Sequence, residues 1–393
     1  MADFRLNLGM PPADFLSRHW QKRPLLIRAG LTPFRDPLSP EELAGLACEA
    51  EVESRLVLGN RERGFELRHG PFAEHAFSAL PAVDWTLLVQ DVEKHLPALG
   101  ELLAPFRFIP DWRIDDLMVS YAVTGGSVGP HMDSYDVFLI QGLGRRRWEL
   151  GAPQPTPSLV ADSPLRLLAG FQPTEAWELA PGDILYLPPG VPHWGVALEP
   201  CLTYSVGFRS PAVGELLVDL AHTLAGELDP EWRYQDPELA LADHPGRLDD
   251  AAVARVRTLL EQTLYRLDDA ALGDWFARVL TSPKLAFSAR ALDRPFDEAG
   301  LLAELAAGER LERNPGSRFA FRDSAGGLNL YVDGHAWPLP ADLGPLARRL
   351  CEPAPLDRAG LGELLAEPRA LALLLQLVNS GYLLIYDDAE DDP

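Results

Sequence analysis

The stretch that decides the fold runs from Gly129 to Gly151 and reads Gly-Pro-His-Met-Asp-Ser-Tyr-Asp-Val-Phe-Leu-Ile-Gln-Gly-Leu-Gly-Arg-Arg-Arg-Trp-Glu-Leu-Gly. It opens with His131 and Asp133, two side chains that can ligate a metal and that an extended strand places on the same face. An apolar run, a tight glycine turn and three arginines follow. Further along, an apolar segment and a Pro-Pro-Gly turn precede His193. Short strands, glycine turns and these three side chains predict a small metal-binding barrel.

Length and composition limit the class of protein. A chain of 393 residues is too long for one ordinary core and predicts two or three domains. The formal net charge of −23 argues against nonspecific adhesion to nucleic acid or membranes, and it favours either a basic partner or simple solubility. Three separated cysteines without a Cys-x-x-Cys pair fit a reducing cytoplasm. With no signal peptide and no long apolar run in the sequence, we expect a cytoplasmic protein without a membrane segment.

The first half of the chain has the pattern of a decorated β-barrel. Strands are predicted at 117–123, 137–140, 147–150, 176–179, 184–187 and 202–208, separated by glycine and proline turns. Before them, the pattern predicts a short helix and a strand within 12–28, a helix beginning near 39, a hairpin at 51–69, a strand at 85–92 and a helix at 96–103. The barrel is therefore expected to carry helices at its N-terminal side.

The period changes to helical after Ser210. Helices are predicted at 213–224, 253–267 and 268–280, and their apolar stripes fit either a dimerisation surface or the core of a self-contained bundle. From 282 to 386 the order of helix, hairpin, helix, helix and strand is typical of a winged helix. This segment has no obvious basic recognition helix, so we expect no direct DNA binding. The acidic tail, 387–393, is predicted to be disordered.

The candidate metal ligands are two histidines and one carboxylate. Such a set on one face of an octahedral ion leaves three adjacent positions open, as in non-haem Fe(II) oxygenases, whereas structural zinc favours a closed tetrahedral shell. A lone His-x-Asp pair is often structural, and it is His193, placed on the turn after an apolar strand, that favours the metal interpretation. The remaining histidines are interpreted as surface or packing residues: His19, His69, His75, His95, His222, His244 and His335.

Arg146 adds a candidate for binding an anion. It begins a predicted strand after the glycine turn, and strand alternation places it on the inner face while Arg145 and Arg147 point to solvent. Burying an arginine without an anionic partner is costly, and its planar fork suits the distal end of a dicarboxylate. The alternative is that all three arginines form a solvated cluster, an interpretation we keep for Arg145 and Arg147.

The motifs resemble those of a known family. The resemblance is carried by Asp115-Asp116-Leu117-Met118, Gly129-Pro130-His131-x-Asp133-x-Tyr135-Asp136-Val137-Phe138, Gln141-Gly142-x-Gly144-Arg145-Arg146-Arg147-Trp148, Leu185-Tyr186-x-Pro188-Pro189-Gly190-x-Pro192-His193 and the opening segment 15–26. This pattern is similar to that of the bacterial JmjC-type ribosomal oxygenases of the cupin superfamily. These enzymes hydroxylate a ribosomal protein and require Fe(II), 2-oxoglutarate and O₂.

The resemblance implies an α+β architecture: a double-stranded β-helix (jelly-roll) catalytic domain with N-terminal helices at 1–210, a helical dimerisation region at 211–281 and a winged-helix domain at 282–386. It implies roles for particular residues, with the iron ligands at His131, Asp133 and His193 and the contact to 2-oxoglutarate at Arg146. The substrate pocket falls on Asp116, Met118, Tyr135 and Ser205. The chain departs from the family at Ala122, where a hydroxyl residue can contact the co-substrate, and Ser120, Tyr121 or Thr124 could replace it.

The predicted function is hydroxylation of an arginine side chain, at Cβ, in a basic ribosomal protein of the large subunit, with succinate and CO₂ as co-products. A buried carboxylate at Asp116 favours a cationic substrate, since leaving it unpaired is expensive; the alternative for Asp116 is an acidic turn. Two other functions stay open. A histidine hydroxylase or lysine demethylase would use the same chemistry, and a non-catalytic cupin or winged-helix binding protein would need no iron. The resemblance also implies a homodimer.

Overall fold

The structure is a computed structural model that describes residues 4–153 and 157–386. It divides into two compact units, one ending at Ser210 and the other beginning at Pro211. No helix in the described part of the chain is long and apolar enough to cross a membrane. The acidic tail, for which we predicted disorder, lies outside the described residues.

The first unit is mostly β-structure with helices toward its N-terminus. Its strands are β1 (Arg5–Leu6), β2 (Leu25–Ile27), β3 (Leu31–Thr32), β4 (Ser54–Asn60), β5 (Gly64–His69), β6 (Trp85–Val89), β7 (Ile114–Ala122), β8 (Val137–Gln141), β9 (Arg146–Gly151), β10 (Pro173–Leu179), β11 (Ile184–Leu187), β12 (His193–Ala197) and β13 (Cys201–Phe208). Its α-helices are α1 (Pro12–Arg18), α2 (Pro40–Leu46), α3 (Glu74–Ser78) and α4 (Val92–His95), and 3-10 helices lie at Pro97–Leu102, Ala104–Phe106 and Asp111–Arg113.

Two antiparallel sheets form the jelly-roll. The larger has eight strands in the order β2-β11-β8-β13-β7-β6-β4-β5, and the smaller has three in the order β10-β9-β12. The mixed helix and sheet content and the jelly-roll confirm the predicted fold class. Two antiparallel sheets with side chains alternating between their faces leave one row of side chains from each sheet for the space between them.

Strand β8 shows why the apolar run in the opening stretch is continuous. Phe138 and Ile140 pack into the large core that includes Phe15 of α1, whereas Val137 and Leu139 belong to a separate cluster with Trp148 of the small sheet. All five residues of the strand are buried. A strand covered on both faces needs apolar side chains at successive positions, so alternation disappears from its sequence.

A buried carboxylate fastens the N-terminal segment to the jelly-roll. Asp136 is fully buried and accepts hydrogen bonds from the Tyr186 hydroxyl at 2.6 Å and from Nε2 of Gln21 at 2.9 Å. The Tyr186 hydroxyl in turn accepts from the backbone N–H of Gln21 at 2.8 Å, and Arg113 lies 3.4 Å from the carboxylate. Because its oxygens have donors, the cost of burying this charge is offset.

The glycine turn before β9 is held from three sides. A Cβ on Gly144, whose φ is +67°, would lie 2.1 Å from the carbonyl oxygen of Pro200. A Cβ on Gly142 would lie 2.2 Å from a carboxylate oxygen of Asp36. Nε2 of Gln141 donates to the carbonyl oxygens of Leu143 at 3.1 Å and of Leu202 at 3.0 Å. The turn therefore fixes where the chain enters β9.

The second unit contains helices and two small sheets. Its helices are α5 (Val213–Glu227), α6 (Asp250–Tyr265), α7 (Asp269–Thr281), α8 (Glu298–Ala307), α9 (Gly344–Leu350), α10 (Arg358–Leu361) and α11 (Pro368–Asn379). Its strands are β14 (Arg310–Arg313), β15 (Phe319–Ser324), β16 (Gly327–Val332), β17 (His335–Pro340) and β18 (Leu383–Tyr386), with 3-10 turns at Leu285–Phe287, Ala341–Leu343 and Gly362–Ala366. Strands β15, β16 and β17 make one sheet, and β14 pairs with β18.

Helix α7 packs on the three-stranded sheet. Asp274 accepts a hydrogen bond from the Tyr331 hydroxyl at 3.0 Å, and Arg322 donates to the carbonyl oxygen of Asp269 at 2.9 Å. Leucines of α8, α9 and α11 form the core of this unit. The division into domains at 211–281 and 282–386 stays a prediction.

Several local predictions were wrong. His193 is the first residue of strand β12, not part of a turn, and residues 97–102 form a 3-10 helix beside the short α4. The strand predicted at 85–92 ends at Val89. Strands β14 and β17 were missed, because one is paired along its length with the distant β18 and the other contains two prolines that lower its strand propensity.

The glycine turn gives a stability prediction. We expect Gly144→Ala to destabilise the protein more than Gly170→Ala, because both glycines have φ near +70° but nothing lies within 4 Å of a Cβ at Gly170. Each should carry the strain of a left-handed residue, about 1–2 kcal/mol, and only Gly144→Ala should add a clash with backbone. Urea denaturation measures both. Equal unfolding midpoints for the two variants would contradict this account of the turn.

Candidate active site

His131 and His193 are brought together by their backbones. The N–H of His131 donates to the carbonyl oxygen of His193 at 2.9 Å, and the N–H of His193 donates to the carbonyl oxygen of His131 at 2.9 Å. The two residues form an isolated antiparallel bridge, and their ring centroids are 4.2 Å apart. His131 belongs to no named strand. The bridge to His193, and not a regular strand as the i, i+2 spacing suggested, therefore holds His131 in position.

Asp133 completes a cluster that could hold a metal ion. One of its carboxylate oxygens lies 3.9 Å from Nε2 of His131 and 3.6 Å from Nε2 of His193. One donor atom from each of the three residues lies within 4.8 Å of the others. The structure therefore brings together all three side chains proposed as ligands from the sequence.

The histidine rings are oriented for ligation through Nε2. Nδ1 of His131 lies 3.0 Å from the carbonyl oxygen of Gly129, and Nδ1 of His193 lies 2.9 Å from that of Val191. A carbonyl can only accept, so in the neutral imidazole the proton is on Nδ1 and the lone pair of Nε2 is available to a metal. Burial, reinforced by the nearby His131, lowers the pKa of His193 to about 4. His193 is thus neutral at neutral pH, as a metal ligand must be.

The donor set fits an open metal site. Two imidazoles and one carboxylate occupy one face of an octahedron and leave adjacent positions for other ligands, which is the arrangement of non-haem Fe(II) oxygenases. A closed zinc site would need a fourth protein ligand. Among the described residues, no other His, Cys, Asp or Glu belongs to this cluster.

Arg146 is buried in the small sheet, with 3% of its surface exposed. Its guanidinium lies 3.4 Å from the Ser120 hydroxyl, 3.4 Å from the carbonyl oxygen of Gly195 and 5.0 Å from the centre of the Trp148 ring. Arg145 and Arg147 are exposed and pair with Glu199 and Glu149 on the surface. The alternation expected from the sequence is confirmed.

The surroundings of Arg146 fit an anionic ligand. In the part of the chain that the structure describes, no carboxylate lies at ion-pair distance from it, and burial lowers the pKa of its guanidinium. Buried polar atoms without a described partner include Nε of Arg146, Nε1 of Trp148 and Oγ1 of Thr203. An unpaired buried charge is expensive, so these surroundings are compatible with an anionic ligand beside the guanidinium.

Glycine provides the space for this arginine. A Cβ on Gly195 would lie 2.7 Å from Nε of Arg146 and 2.7 Å from the Trp148 ring. Trp148 also contacts His193, with ring centroids 5.9 Å apart. The indole therefore lies between the arginine and the metal cluster and links the two halves of the site.

Strands β7 and β13 form the wall opposite. Asp116, Met118 and Ser120 alternate along β7 and so point to one face. Their register partners on β13 are Gly207, Ser205 and Thr203. Each pair of register partners forms one layer of this wall. Ser120 and Thr203 lie at the level of Arg146, and Asp116 lies two layers away.

Asp116 and Tyr135 lie near the metal ligands. Asp116 is in β7, not in a turn, with 5% of its surface exposed, and Nε2 of Gln90 donates to its Oδ2 at 2.7 Å. Tyr135 is 43% exposed. Partial burial, followed by the negative charges of Asp133 and Asp116, holds its pKa above the usual range. Tyr135 is therefore close to both carboxylates.

The comparisons with known proteins agree with this geometry. Fold and ligand set define a jelly-roll protein of the JmjC class, and the JmjC domain model matches residues 101–216. Models of an AraC-like ligand binding domain and a ROXA-like winged helix match 173–268 and 259–384. The chain is 38% identical to the ribosomal protein uL16 3-hydroxylase of Escherichia coli over 97% of its own length and 98% of that protein. It is also 38% identical to a probable ribosomal oxygenase of Haemophilus influenzae, over 61% of this chain and 58% of that one.

A solved structure is similar over the whole chain. The ribosomal oxygenase YcfD of E. coli, in complex with cobalt and 2-oxoglutarate, matches with a TM-score of 0.84 and 36% identity, covering 98% of this chain and all of that one. The chain belongs to the family of JmjC ribosomal oxygenases.

The cluster gives a metal-binding prediction. We expect His131→Ala to weaken Co²⁺ binding by more than the roughly 10–100-fold that loss of an outer-shell partner costs, because a ligand itself is removed. His69→Ala, at an exposed histidine, should bind Co²⁺ like the unchanged protein. Calorimetric titration of chelator-treated protein measures both. Equal affinity of the two variants would show that the cluster holds no metal.

Proposed function

We propose that this protein is an Fe(II)- and 2-oxoglutarate-dependent hydroxylase that acts on an arginine side chain of the large-subunit ribosomal protein uL16. The observation that carries the proposal is the buried Arg146, which has no anionic partner among the described residues and lies one indole ring away from the metal cluster. A site with a redox metal and an unpaired cation fits an anionic co-substrate.

The proposed metal ligands are His131, Asp133 and His193, which leave room for a bidentate co-substrate and O₂. The distal carboxylate of 2-oxoglutarate would pair with the guanidinium of Arg146 and accept a hydrogen bond from the Ser120 hydroxyl. That hydroxyl lies 3.4 Å from the guanidinium. Ser120 thereby supplies the contact that Ala122 cannot. Thr203, its register partner, offers a second hydroxyl without a described partner.

The proposed substrate pocket lies at the other end of β7. Asp116 would form a charge-assisted pair with the guanidinium of the target arginine. Met118 and its register partner Ser205 would contact the aliphatic stem, with Tyr135 covering it from the side of Asp133. A buried carboxylate favours a cationic side chain, because the opposite charge stabilises it more than an uncharged group would.

The residues position the reactants and do not carry the oxidation themselves. When bound, Fe(II), 2-oxoglutarate and O₂ supply the oxidant, with 2-oxoglutarate converted to succinate and CO₂. Arg146 and Ser120 fix one end of the co-substrate, and Asp116 fixes the far end of the arginine. Holding the guanidinium near Asp116 directs the carbons near the backbone, Cβ among them, toward the metal cluster. The name 3-hydroxylase of the E. coli relative agrees with attack at Cβ.

The charge of the chain suits this substrate. A net charge of −23 should attract a basic ribosomal protein and speed their encounter, an effect that salt weakens. A ribosomal target also agrees with a cytoplasmic location, which we propose on this ground. DNA binding by the winged-helix segment is not proposed.

Turnover of a peptide tests the function. We expect the protein with Fe(II), 2-oxoglutarate and O₂ to add one oxygen atom to an arginine of a uL16 peptide and to release succinate. Asp116→Asn should lower kcat/KM for the peptide by about a hundredfold or more, because a buried charge pair is lost. Asp115→Asn removes the neighbouring charge, at the irregularity where the β7–β13 register shifts, and should have little effect.

Other outcomes separate the rival functions. Oxygen addition to a histidine peptide but not to the arginine peptide would favour a histidine hydroxylase, and loss of methyl groups from a lysine peptide would favour a demethylase. Absence of succinate with all three peptides, in protein that binds Fe(II), would contradict the proposed activity and favour a binding protein.

We also propose that the protein is a homodimer joined through α5 and α6. Helix α6 contains no buried residue, so its apolar stripe is not the core of a bundle within the chain. The stripe consists of Val253, Val256, Leu260 and Leu264, all 47% or more exposed. Their spacing places them on one face, and an exposed apolar face of this length is typical of an interface. Helix α5 exposes Val213 and Leu217 in the same way.

The stripe gives a test of assembly. We expect Leu260→Asp to produce monomers, because a charge in the centre of an apolar interface loses its hydration. Thr258→Asp adds the same charge on the opposite face of α6 and should leave the dimer intact. Light scattering after size-exclusion chromatography measures the mass of each. A monomeric unchanged protein at micromolar concentration would contradict the dimer.

A further inference from the structure

We infer that Gln90 is a positioning residue for the substrate arginine, which it orients through Asp116. The inference deepens the proposed function and rests on it. Gln90 follows β6, far from the metal-binding motifs in sequence, and its backbone N–H is held by the carbonyl oxygen of Glu53 at 2.9 Å. Its side chain reaches the wall of the site and connects two charged groups.

The orientation of the Gln90 amide is determined by chemistry. Nη2 of Arg55 donates to Oε1 of Gln90 at 3.0 Å, and Nε2 of Gln90 donates to Oδ2 of Asp116 at 2.7 Å. A guanidinium can only donate and a carboxylate can only accept. Turning the amide over would place its NH₂ against Arg55 and its oxygen against Asp116, so both hydrogen bonds would be lost.

The carboxylate of Asp116 is also limited on its other side. A Cβ on Gly207, its register partner on β13, would lie 2.9 Å from Oδ1 of Asp116. Gly207 therefore leaves just enough space for that oxygen. Gln90 holds one oxygen and β13 confines the other, so the plane of the carboxylate is fixed before substrate arrives. Fixing this plane in advance favours bidentate pairing with a guanidinium, which is itself planar.

The charges behind Asp116 show why a neutral donor is suited to this position. Glu93 is buried and accepts from the N–H of Leu117 at 2.9 Å, and Lys94 lies 3.5 Å from Glu93 and closer still to Asp91. A cation at position 90 would pair with Asp116 and compete with the substrate. An amide donates a hydrogen bond to the carboxylate and adds no charge of its own beside it.

The test compares Gln90→Met with the unchanged protein, since methionine has a similar length and volume but neither donates nor accepts strongly. Loss of a hydrogen bond to a charged group should raise the KM for the uL16 peptide roughly tenfold. The KM for 2-oxoglutarate and the Co²⁺ affinity should not change, because Arg146 and the metal cluster are untouched. Gln376→Met, at an exposed glutamine of the second unit, is the matched control.

A double-mutant cycle with Asp116→Ala shows whether Gln90 acts through Asp116. If it does, Gln90→Met should cause no further loss in that background. An unchanged peptide KM in Gln90→Met, or the same tenfold loss in the absence of Asp116, would overturn the inference. Both results require that the unchanged protein hydroxylates the arginine peptide. Failure of that reaction would instead contradict the proposed function.

Discussion

Two reciprocal hydrogen bonds between the backbones of His131 and His193 are the interaction on which the site depends. They join the segment that enters β8 to the first residue of β12, and these strands belong to different sheets. Because the bridge uses only main-chain groups, both imidazoles remain available, and carbonyl oxygens fix which nitrogen each one presents. The main-chain contact between the two sheets therefore fixes the positions of His131 and His193, independently of their side chains.

The same meeting of sheets buries Arg146 without an anionic partner among the described residues. The groups nearest its guanidinium are neutral: the Ser120 hydroxyl, the carbonyl of Gly195 and the Trp148 indole. In such surroundings a guanidinium is costly, and an incoming carboxylate gains more there than it would in water. Gly195 and Gly207 lack side chains, and the space this leaves is occupied by the charged groups of Arg146 and Asp116 respectively.

What the sequence could predict was local. His131, Asp133 and the buried Arg146 were proposed from local spacing and from strand alternation after a glycine turn, whereas His193 was added because a barrel can bring its segment beside His131. Gln90, Thr203 and Gly195 were not found, because each acquires its role from the register of strands that are far apart in the chain. His193 was misplaced in a turn because the prolines before it are a stronger local signal than the short strand it begins. The pairing of β14 with β18 was missed for the same reason as Gln90.

Strand β7 shows how closely chemistry and folding are coupled in this protein. Its even positions, Asp116, Met118 and Ser120, share the face of the proposed site, whereas Leu117 and Val119 lie in the large core. Inserting or deleting a single residue between Asp116 and Ser120 without a compensating bulge would exchange the two faces for the residues on one side of the change. A substitution in this part of the strand leaves the two faces as they are, whereas a change in its length does not. Insertions and deletions among relatives should accumulate in the loops between strands, where residues do not alternate between two faces.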